Sequence, residues 1–235
     1  MTNFKFKKFS VSDDSSAMKI GTDAVLLGAW TDVSNANKIL DIGSGSGIIA
    51  MMLAQRTKAK IEGVEIDEKS YLQAEKNVEN SNWQNRIKFF HKSFQEFYKN
   101  TKTKYDLIVS NPPYFSNSLK TPIQSRTIAR HNDLLSYEEI IIGVKKILKQ
   151  DGKFYLILPA TESKIFIDRA LIESLYCSEM LLVKDKNDKP IKRILMKFEL
   201  LRHSQNKKDE LIIRNNDGSF TQEYKNLTSD FYLKF

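Results

Sequence analysis

A short glycine-rich segment follows the first compact apolar run of the chain: Leu40-Asp41-Ile42-Gly43-Ser44-Gly45-Ser46-Gly47. The run that leads into it, residues 38–42, predicts a buried strand, and Ile48–Arg56 predicts a helix directly after it. Glycines at a strand-to-helix turn permit a tight backbone and the close approach of a ligand. The segment therefore predicts a ligand crevice at one edge of a parallel sheet.

Strands and helices alternate on both sides of this turn. Apolar runs predict seven strands at 38–42, 59–66, 86–90, 105–109, 153–158, 180–184 and 193–201, the last two joined as a hairpin. Helical spacing predicts helices at 23–30 after an N-cap at Thr22, 48–56, 68–80 after an N-cap at Asp67, 134–149 and 163–174. This alternation predicts an α/β fold with a mostly parallel seven-stranded sheet, helices on both faces and an antiparallel C-terminal hairpin edge.

Composition excludes several classes of protein. The 235 residues are 41% apolar, which is typical of a globular chain and not of a disordered one. The single cysteine, Cys177, excludes a disulfide scaffold and a cysteine-rich zinc module. No apolar run is long enough to span a bilayer, and no apolar segment follows the basic N-terminus. We therefore expect a cytoplasmic protein that does not associate with a membrane, holds no metal and has no obligate protein partner.

The chain carries a net charge of +8, from 37 Lys and Arg against 29 Asp and Glu. Such an excess indicates a polyanionic partner such as nucleic acid. Only eight of the basic residues are Arg, so a compositional bias toward Lys, Asn and Ile explains the charge equally well. Charge alone leaves both interpretations open.

The spacing of the glycines distinguishes between ligands. Dinucleotide sites use G-x-G-x-x-G, whereas position 48 here is Ile and Asp41 stands two residues before Gly43. A carboxylate there suits a ligand with a positive charge, such as an amino-acid ammonium group. Glu65 ends the next predicted strand, where a carboxylate can accept both hydroxyls of a ribose. An adenosine with a methionine tail satisfies both acids, although an ordinary strand–helix turn is the simpler alternative.

These two signals resemble the class I S-adenosylmethionine-dependent methyltransferases. The resemblance implies a Rossmann-like fold, S-adenosyl-L-methionine as the methyl donor and S-adenosyl-L-homocysteine as the product.

A second motif ends the fourth predicted strand at the same edge: Asn111-Pro112-Pro113-Tyr114. The prolines end the strand and make the turn rigid. An amino group conjugated to a ring is a poor nucleophile, because its lone pair is delocalised. The Asn111 side-chain oxygen and the Pro112 carbonyl can accept its two N–H bonds and favour a localised lone pair. Tyr114 can stack on a planar substrate.

A strand-ending turn with a core tyrosine is the structural alternative for this motif. Asn-Pro-Pro-Tyr nevertheless resembles the signature of methyltransferases that act on planar amino groups. Their targets are adenine N6, guanine N2 and the glutamine amide.

The similarity extends over essentially the whole chain. The block from Ala17 to Trp30 and the C-terminal Asp230-Phe231-Tyr232-Leu233 resemble the bacterial tRNA adenine-N6 methyltransferases. That family implies tRNA as the substrate, and adenine 37 of a valine tRNA as the base. It also implies one domain over 1–235, with 1–37 as an N-terminal extension whose helix covers the cofactor and 38–235 as the Rossmann-like core.

The resemblance also implies the residues of the donor site. Lys19, Gly21 and Thr22 would cover the methionine end, although an ordinary helix entry is the alternative for this block. Many relatives carry Asp where this chain has Ser93; a hydroxyl can still accept from the donor's adenine, and the Phe94 amide can donate to it. The full predicted donor set is Lys19, Gly21, Thr22, Asp41, Gly43, Gly45, Glu65, Ile66, Ser93, Phe94 and Asn111.

Two basic regions are candidates for the substrate side. Lys120, Arg126 and Arg130 follow the Asn-Pro-Pro-Tyr turn with no acid between them, which predicts a clamp on the tRNA backbone or a solvated loop. Residues 181–208 carry nine basic residues against three acids, which indicates a basic face or an edge hairpin protected from aggregation by lysines.

Other functions remain open from the sequence. The same chemistry serves ribosomal RNA guanine N2, DNA adenine N6 or a glutamine amide of a release factor. The chain has no room for a DNA-reading domain, and its glycine loop begins too early for the helical domain of release-factor enzymes. A non-catalytic RNA-binding protein on the same fold is the alternative from another class, and the intact Asn111 and Asp41 argue against it.

Overall fold

The computed structural model of the chain describes residues 3–14, 19–113 and 135–235. Two short strands near the N-terminus, β1 (Asn3–Lys5) and β2 (Ser10–Ser12), form an antiparallel pair. A larger sheet follows, made of β3 (Lys38–Ile42), β4 (Lys60–Glu65), β5 (Ile87–His91), β6 (Tyr105–Ser110), β7 (Leu148–Pro159), β8 (Tyr176–Lys184), β9 (Ile191–Glu199) and β10 (Lys207–Ile212). Their order across the sheet is β10-β8-β9-β7-β6-β3-β4-β5.

Helices cover both faces of this sheet. They are α1 (Thr22–Trp30), α2 (Ile48–Arg56), α3 (Glu68–Glu79), α4 (Phe94–Asn100), α5 (Tyr137–Ile147), α6 (Ala160–Ile172) and α7 (Gln222–Thr228). Ile39 belongs to the apolar cluster that includes α1, α2 and α3, whereas Leu40 and Ile42 belong to the cluster that includes α4, α5 and α6. Alternate residues of β3 therefore pack against helices on opposite faces of the sheet, as a strand buried on both faces requires. Within the described ranges, no helix combines the length and apolarity that a bilayer span needs.

Strand direction places the loops of interest at one edge. β3, β4, β5, β6 and β7 are parallel, so their carboxyl ends lie together. β9 is antiparallel to both β7 and β8, which confirms the predicted hairpin. Arg193 near the start of β9 pairs with Pro159 at the end of β7. The start of β9 and the ends of β8 and β10 thus lie at the same edge as the glycine loop.

The sheet has eight strands where the sequence pattern predicts seven. The extra strand, β10, pairs in parallel with β8 and lies outside the hairpin. Its first four residues are exposed and charged, and only Leu211 is buried. Backbone hydrogen bonding holds this edge strand, and hydrophobic periodicity cannot reveal a strand with so few apolar residues.

Several predicted helix ends are wrong; α5 begins at Tyr137 instead of residue 134, and α6 covers Ala160–Ile172 instead of 163–174. Thr22 is the first residue of α1 and not its N-cap; Gly21 takes the cap position in extended conformation without a side-chain cap. α5 ends at Ile147 instead of Lys149, because Leu148 is extended and pairs with Tyr105 as the start of β7. The predicted cap at Asp67 is confirmed, since its side chain accepts from the Ser70 amide.

Candidate active site: the glycine loop and the Asn-Pro-Pro turn

A cavity of about 330 Å³ opens where β3, β4 and β6 end. We call it the donor cavity. Pro113 lines it, Pro112 is buried behind it, and three residues of the predicted donor set, Gly21, Thr22 and Asp41, do not line it. The other eight residues of that set do line the cavity: Lys19, Gly43, Gly45, Glu65, Ile66, Ser93, Phe94 and Asn111.

The glycine loop has a backbone that only glycine adopts without strain. Gly43, Gly45 and Gly47 have φ values of 69°, 54° and 80°. The Gly43 amide donates to the Val64 carbonyl at 2.9 Å, which holds the loop against the end of β4. A Cβ at Gly43 would meet no atom within 4 Å. Because Gly43 also lines the donor cavity, the missing side chain leaves open space there for a ligand.

Glu65 is fixed between the glycine loop and the end of β4. Its Oε2 accepts from the Gly45 amide at 2.8 Å, and its Oε1 accepts from the Asp67 amide at 2.9 Å. The side chain is buried, and this burial raises the pKa of Glu65 while the backbone amides oppose the change. A carboxylate has about four acceptor positions, so each oxygen can accept one more hydrogen bond. Glu65 can therefore receive two hydroxyl donors in the cavity without losing its anchors.

Asp41 lies behind the glycine loop and not in the cavity wall. It is fully buried, and neither carboxylate oxygen has a hydrogen-bond partner among the described residues. Burial raises the pKa of Asp41 to about 7; the nearby Ala50 amide in the first turn of α2 lowers it, and the charge of Glu65 raises it further. Strand alternation places Asp41 on the α2 face of β3, the same face as Ile39. Asp41 therefore has no surface in the cavity, and only its charge and its place behind the loop can influence a ligand there.

The Asn-Pro-Pro turn begins where β6 ends, as the two prolines predict. The Ser110 hydroxyl donates to the Ile42 carbonyl at 3.0 Å and ties this turn to the start of the glycine loop. Asn111 lines the donor cavity, and its Oδ1 is buried without a hydrogen-bond partner in the described part of the chain. An unsatisfied buried acceptor costs about 1–3 kcal/mol. A site built in this way is suited to a ligand that brings an N–H donor.

Lys19 reaches the cavity from a separate segment. Its Nζ donates to the Asp13 carbonyl at 2.6 Å, and Asp13 Oδ2 accepts from the Ile20 amide at 2.8 Å. Gly21 and Thr22, at the start of α1, line a neighbouring cleft instead. The first turn of α1 therefore separates two concavities, which sequence spacing does not reveal.

Ser93 already has a structural role, since its hydroxyl accepts from the Glu96 amide at 3.2 Å as the N-cap of α4. The pattern Ser93-Phe94-Gln95-Glu96 is a capping-box signature that could have predicted this helix. Among the lining residues that sequence analysis missed are the polar Ser70, Lys92 and Gln95. Proximity to Ser93 could have indicated Lys92 and Gln95, whereas Ser70 reaches the cavity through the start of α3.

Several predicted residues lie outside the described ranges. They are Tyr114, Lys120, Arg126 and Arg130. Among the residues that are described, no group of three His, Cys, Asp or Glu side chains is placed to hold a metal ion.

Solved structures with the same fold include a predicted O-methyltransferase, protein Atu636, from Agrobacterium tumefaciens. It is 20% identical, covers 89% of this chain and 96% of its own, and has a TM-score of 0.68. A ribosomal protein L11 methylase from Lactobacillus delbrueckii subsp. bulgaricus is 17% identical, covers 80% of this chain and 82% of its own, and has a TM-score of 0.57. At such identities the likeness concerns the fold alone, and it confirms the predicted Rossmann-like methyltransferase architecture.

Sequence relatives are much more similar. A Bacteroides fragilis (strain YCH46) protein named tRNA1(Val) (adenine(37)-N6)-methyltransferase is 46% identical over 232 residues, which is 98% of each chain. A protein of the same name from Trichodesmium erythraeum is 44% identical and covers 99% of this chain and 98% of its own. The family model "Methyltransferase small domain" matches residues 16–173. The chain therefore belongs to the methyltransferase small domain family and, within it, to the family of these tRNA1(Val) (adenine(37)-N6)-methyltransferases.

Proposed function

We propose that the protein transfers a methyl group from S-adenosylmethionine to N6 of an adenine in tRNA, at position 37 of a valine tRNA. The observation that carries this proposal is the Asn111 Oδ1, buried at the wall of the donor cavity with no hydrogen-bond partner among the described residues. The names of relatives that align over nearly the whole chain support the same base and the same RNA. The proposal takes the chain as one domain that works in the cytoplasm, where tRNA is found.

The groups that line the donor cavity are complementary to those of S-adenosylmethionine. Glu65 would accept the ribose hydroxyls, and Gly43 leaves space against the loop backbone. Ile66, Phe94 and Leu135 supply apolar wall for an adenine ring. The buried acids at Asp41 and Glu65 favour a ligand with positive charge near the loop. When bound, S-adenosylmethionine supplies an electrophilic methyl group on a sulfonium.

The protein's part in the chemistry is to prepare the target nitrogen. Asn111 Oδ1 would accept one N–H of the adenine amino group, and the Pro112 carbonyl would accept the other. These contacts favour a localised lone pair and stabilise the positive charge that develops on nitrogen during attack. The rigid turn holds the nitrogen in line with the methyl group, which lowers the entropic part of the barrier. No general base is required before the attack.

The substrate residues remain predictions. Tyr114 would stack on the adenine, and Lys120, Arg126 and Arg130 would contact the tRNA backbone. For the base to reach Asn111, it has to leave its stack.

A substrate panel tests the proposed function. The purified protein is incubated with methyl-labelled donor and, separately, with tRNA from a strain lacking this modification, ribosomal RNA, duplex DNA and a glutamine peptide. We expect label in tRNA alone, recovered as N6-methyladenine after digestion to nucleosides. Label in guanine N2, in DNA or in the peptide would replace the proposed substrate. Donor binding with no methyl transfer to any of the four would contradict the enzyme assignment.

A further inference from the structure

A second concavity of about 540 Å³ lies beside the donor cavity. We call it the basic–aromatic cleft. Residues 21–23 at the start of α1 line this cleft, whereas Lys19, Ile20 and Ala24 line the donor cavity. The start of α1 is therefore a shared wall between two open sites.

The cleft opens at the same sheet edge as the Asn-Pro-Pro turn. Asp185 directly follows β8, Arg193 lies at the start of β9, and Arg214 follows β10. The β7–β9 register places Arg193 beside Pro159 at the carboxyl end of β7. A polymer with one unit at the Asn-Pro-Pro turn can therefore place another unit in the cleft along the same edge.

The charges in the cleft divide into two groups. Arg193 pairs with Asp23 at 2.8 Å, and Arg214 pairs with Asp185 at 3.0 Å. Lys192 and Lys234 are exposed, and neither forms an ion pair with any residue that the structure describes. Two cations are thus available to an anionic ligand while the arginines are held in place by the acids.

Aromatic rings also line the cleft. Phe220 stacks on Tyr224 with ring centroids 5.0 Å apart, and the Arg214 guanidinium lies 5.8 Å from the Phe220 ring centroid. Phe235 packs edge-on against Phe220 and is 45% exposed. Planar aromatic and guanidinium groups beside free cations are the surfaces on which RNA bases stack next to their phosphates.

We propose that the basic–aromatic cleft binds a nucleotide of the RNA substrate other than the target adenine. Lys192 and Lys234 contact its phosphate, and Phe235 stacks on its base. This inference rests on the proposed function for the identity of the polymer. An acidic peptide would use the lysines and leave the aromatic wall without a planar partner.

The test compares two double variants that remove the same charge. Lys192→Ala/Lys234→Ala removes two cations from the cleft, and Lys58→Ala/Lys60→Ala removes two exposed lysines at the start of β4, on the opposite edge of the sheet. Binding of unmodified tRNA is measured from 50 to 300 mM salt without methyl transfer. We expect the cleft variant to flatten the dependence of log K on log salt by about 0.7, the value for one neutralised phosphate of a single strand. The control variant should keep the wild-type slope.

Phe235→Ala tests the stacking contact separately. We expect tRNA binding to weaken about fivefold or more with no change in salt slope, because stacking is not an ionic contact. Calorimetric binding of S-adenosylmethionine should be unchanged in all variants, which also shows that they are folded.

The outcomes separate this inference from the proposed function. Equal salt slopes and equal affinities in the cleft and control variants would overturn the inference, even if the wild-type protein methylates tRNA. A loss specific to the cleft variants would support it even if the methylated base is not adenine.

Discussion

The donor cavity and the basic–aromatic cleft share the start of α1 as a wall, but their lining side chains differ in charge and chemical type. The donor cavity is lined by the buried Glu65 and a glycine backbone, with the buried Asp41 behind the loop, and by the Asn111 amide oxygen, which has no hydrogen-bond partner among the described residues. The cleft contains exposed lysines, two ion pairs and aromatic rings. Buried acids suit a cationic small molecule, whereas exposed cations with aromatic rings suit a nucleic-acid chain. One sheet edge therefore carries two concavities of contrasting chemistry side by side.

The variant Asn111→Ala gives the strongest test of the proposal that the donor cavity serves methyl transfer and the cleft serves RNA binding. We expect the methylation rate on tRNA to fall on the order of 10²-fold or more, as when one preorganised polar contact is removed from a transition state. Affinity for tRNA should stay near the wild-type value, because the proposed contacts to the tRNA backbone are made by residues other than Asn111. Single-turnover kinetics and tRNA binding measure the two effects.

Asn206→Ala is the matched control, since Asn206 is exposed between β9 and β10 at the opposite edge. An Asn111→Ala enzyme as fast as this control would refute the role of the Asn111 side chain.

The next largest effect is the change with pH in the free energy of unfolding that Asp41 causes. Its pKa is raised from 3.8 to about 7 in the folded protein, so the folded state keeps a proton that the unfolded state loses. The free energy of unfolding that this group contributes therefore falls as pH rises from about 4 to about 7, by roughly 4 kcal/mol. We expect Asp41→Asn to gain stability relative to the wild type as pH rises through this window. Chemical denaturation of both proteins at pH 5, 6, 7 and 8 measures the difference.

The same titration should affect the donor cavity and not the cleft. Protonation of Asp41 removes a negative charge that favours a cationic ligand, so donor affinity in the wild type should decrease from pH 8 to pH 6. In Asp41→Asn this dependence should become weaker. A wild-type donor affinity that stays constant over this range would show that Asp41 does not act on the ligand.

Gly43→Ala is expected to have the smallest effect, a modest loss of stability and of affinity for the methyl donor. A side chain at a φ of 69° costs about 1 kcal/mol of stability, and the added Cβ would extend into the open space of the donor cavity. Donor affinity should therefore fall together with stability, while tRNA affinity stays unchanged. Gly218→Ala is a matched control, because Gly218 has a φ of 89° and open space around its Cβ, outside the donor cavity. Equal donor affinities in the two variants, measured by calorimetry, would contradict the position assigned to the ligand.

The sequence by itself predicted seven of the eight strands of the central sheet and the helices α1, α2, α3, α5 and α6, but not β10, α4 or α7. Its short apolar runs and 3.6-residue periods carry that information locally, and the alternation of β and α implies parallel strands. The family resemblance also indicated eight of the residues that line the donor cavity. Except for Lys19, they lie at the carboxyl ends of neighbouring parallel strands, which meet at one edge.

Only the tertiary structure decided which side of each loop faces a ligand. Asp41 stands in the motif but lies behind it, because strand alternation turns its side chain toward α2. Gly21 and Thr22 lie one turn from Lys19 yet line a different concavity, because α1 begins between the two sites. The cleft itself joins the start of α1 to residues 183–235, and such long-range contacts leave no local pattern in the chain. Burial and sheet register, which depend on the packing of distant segments, decided these features.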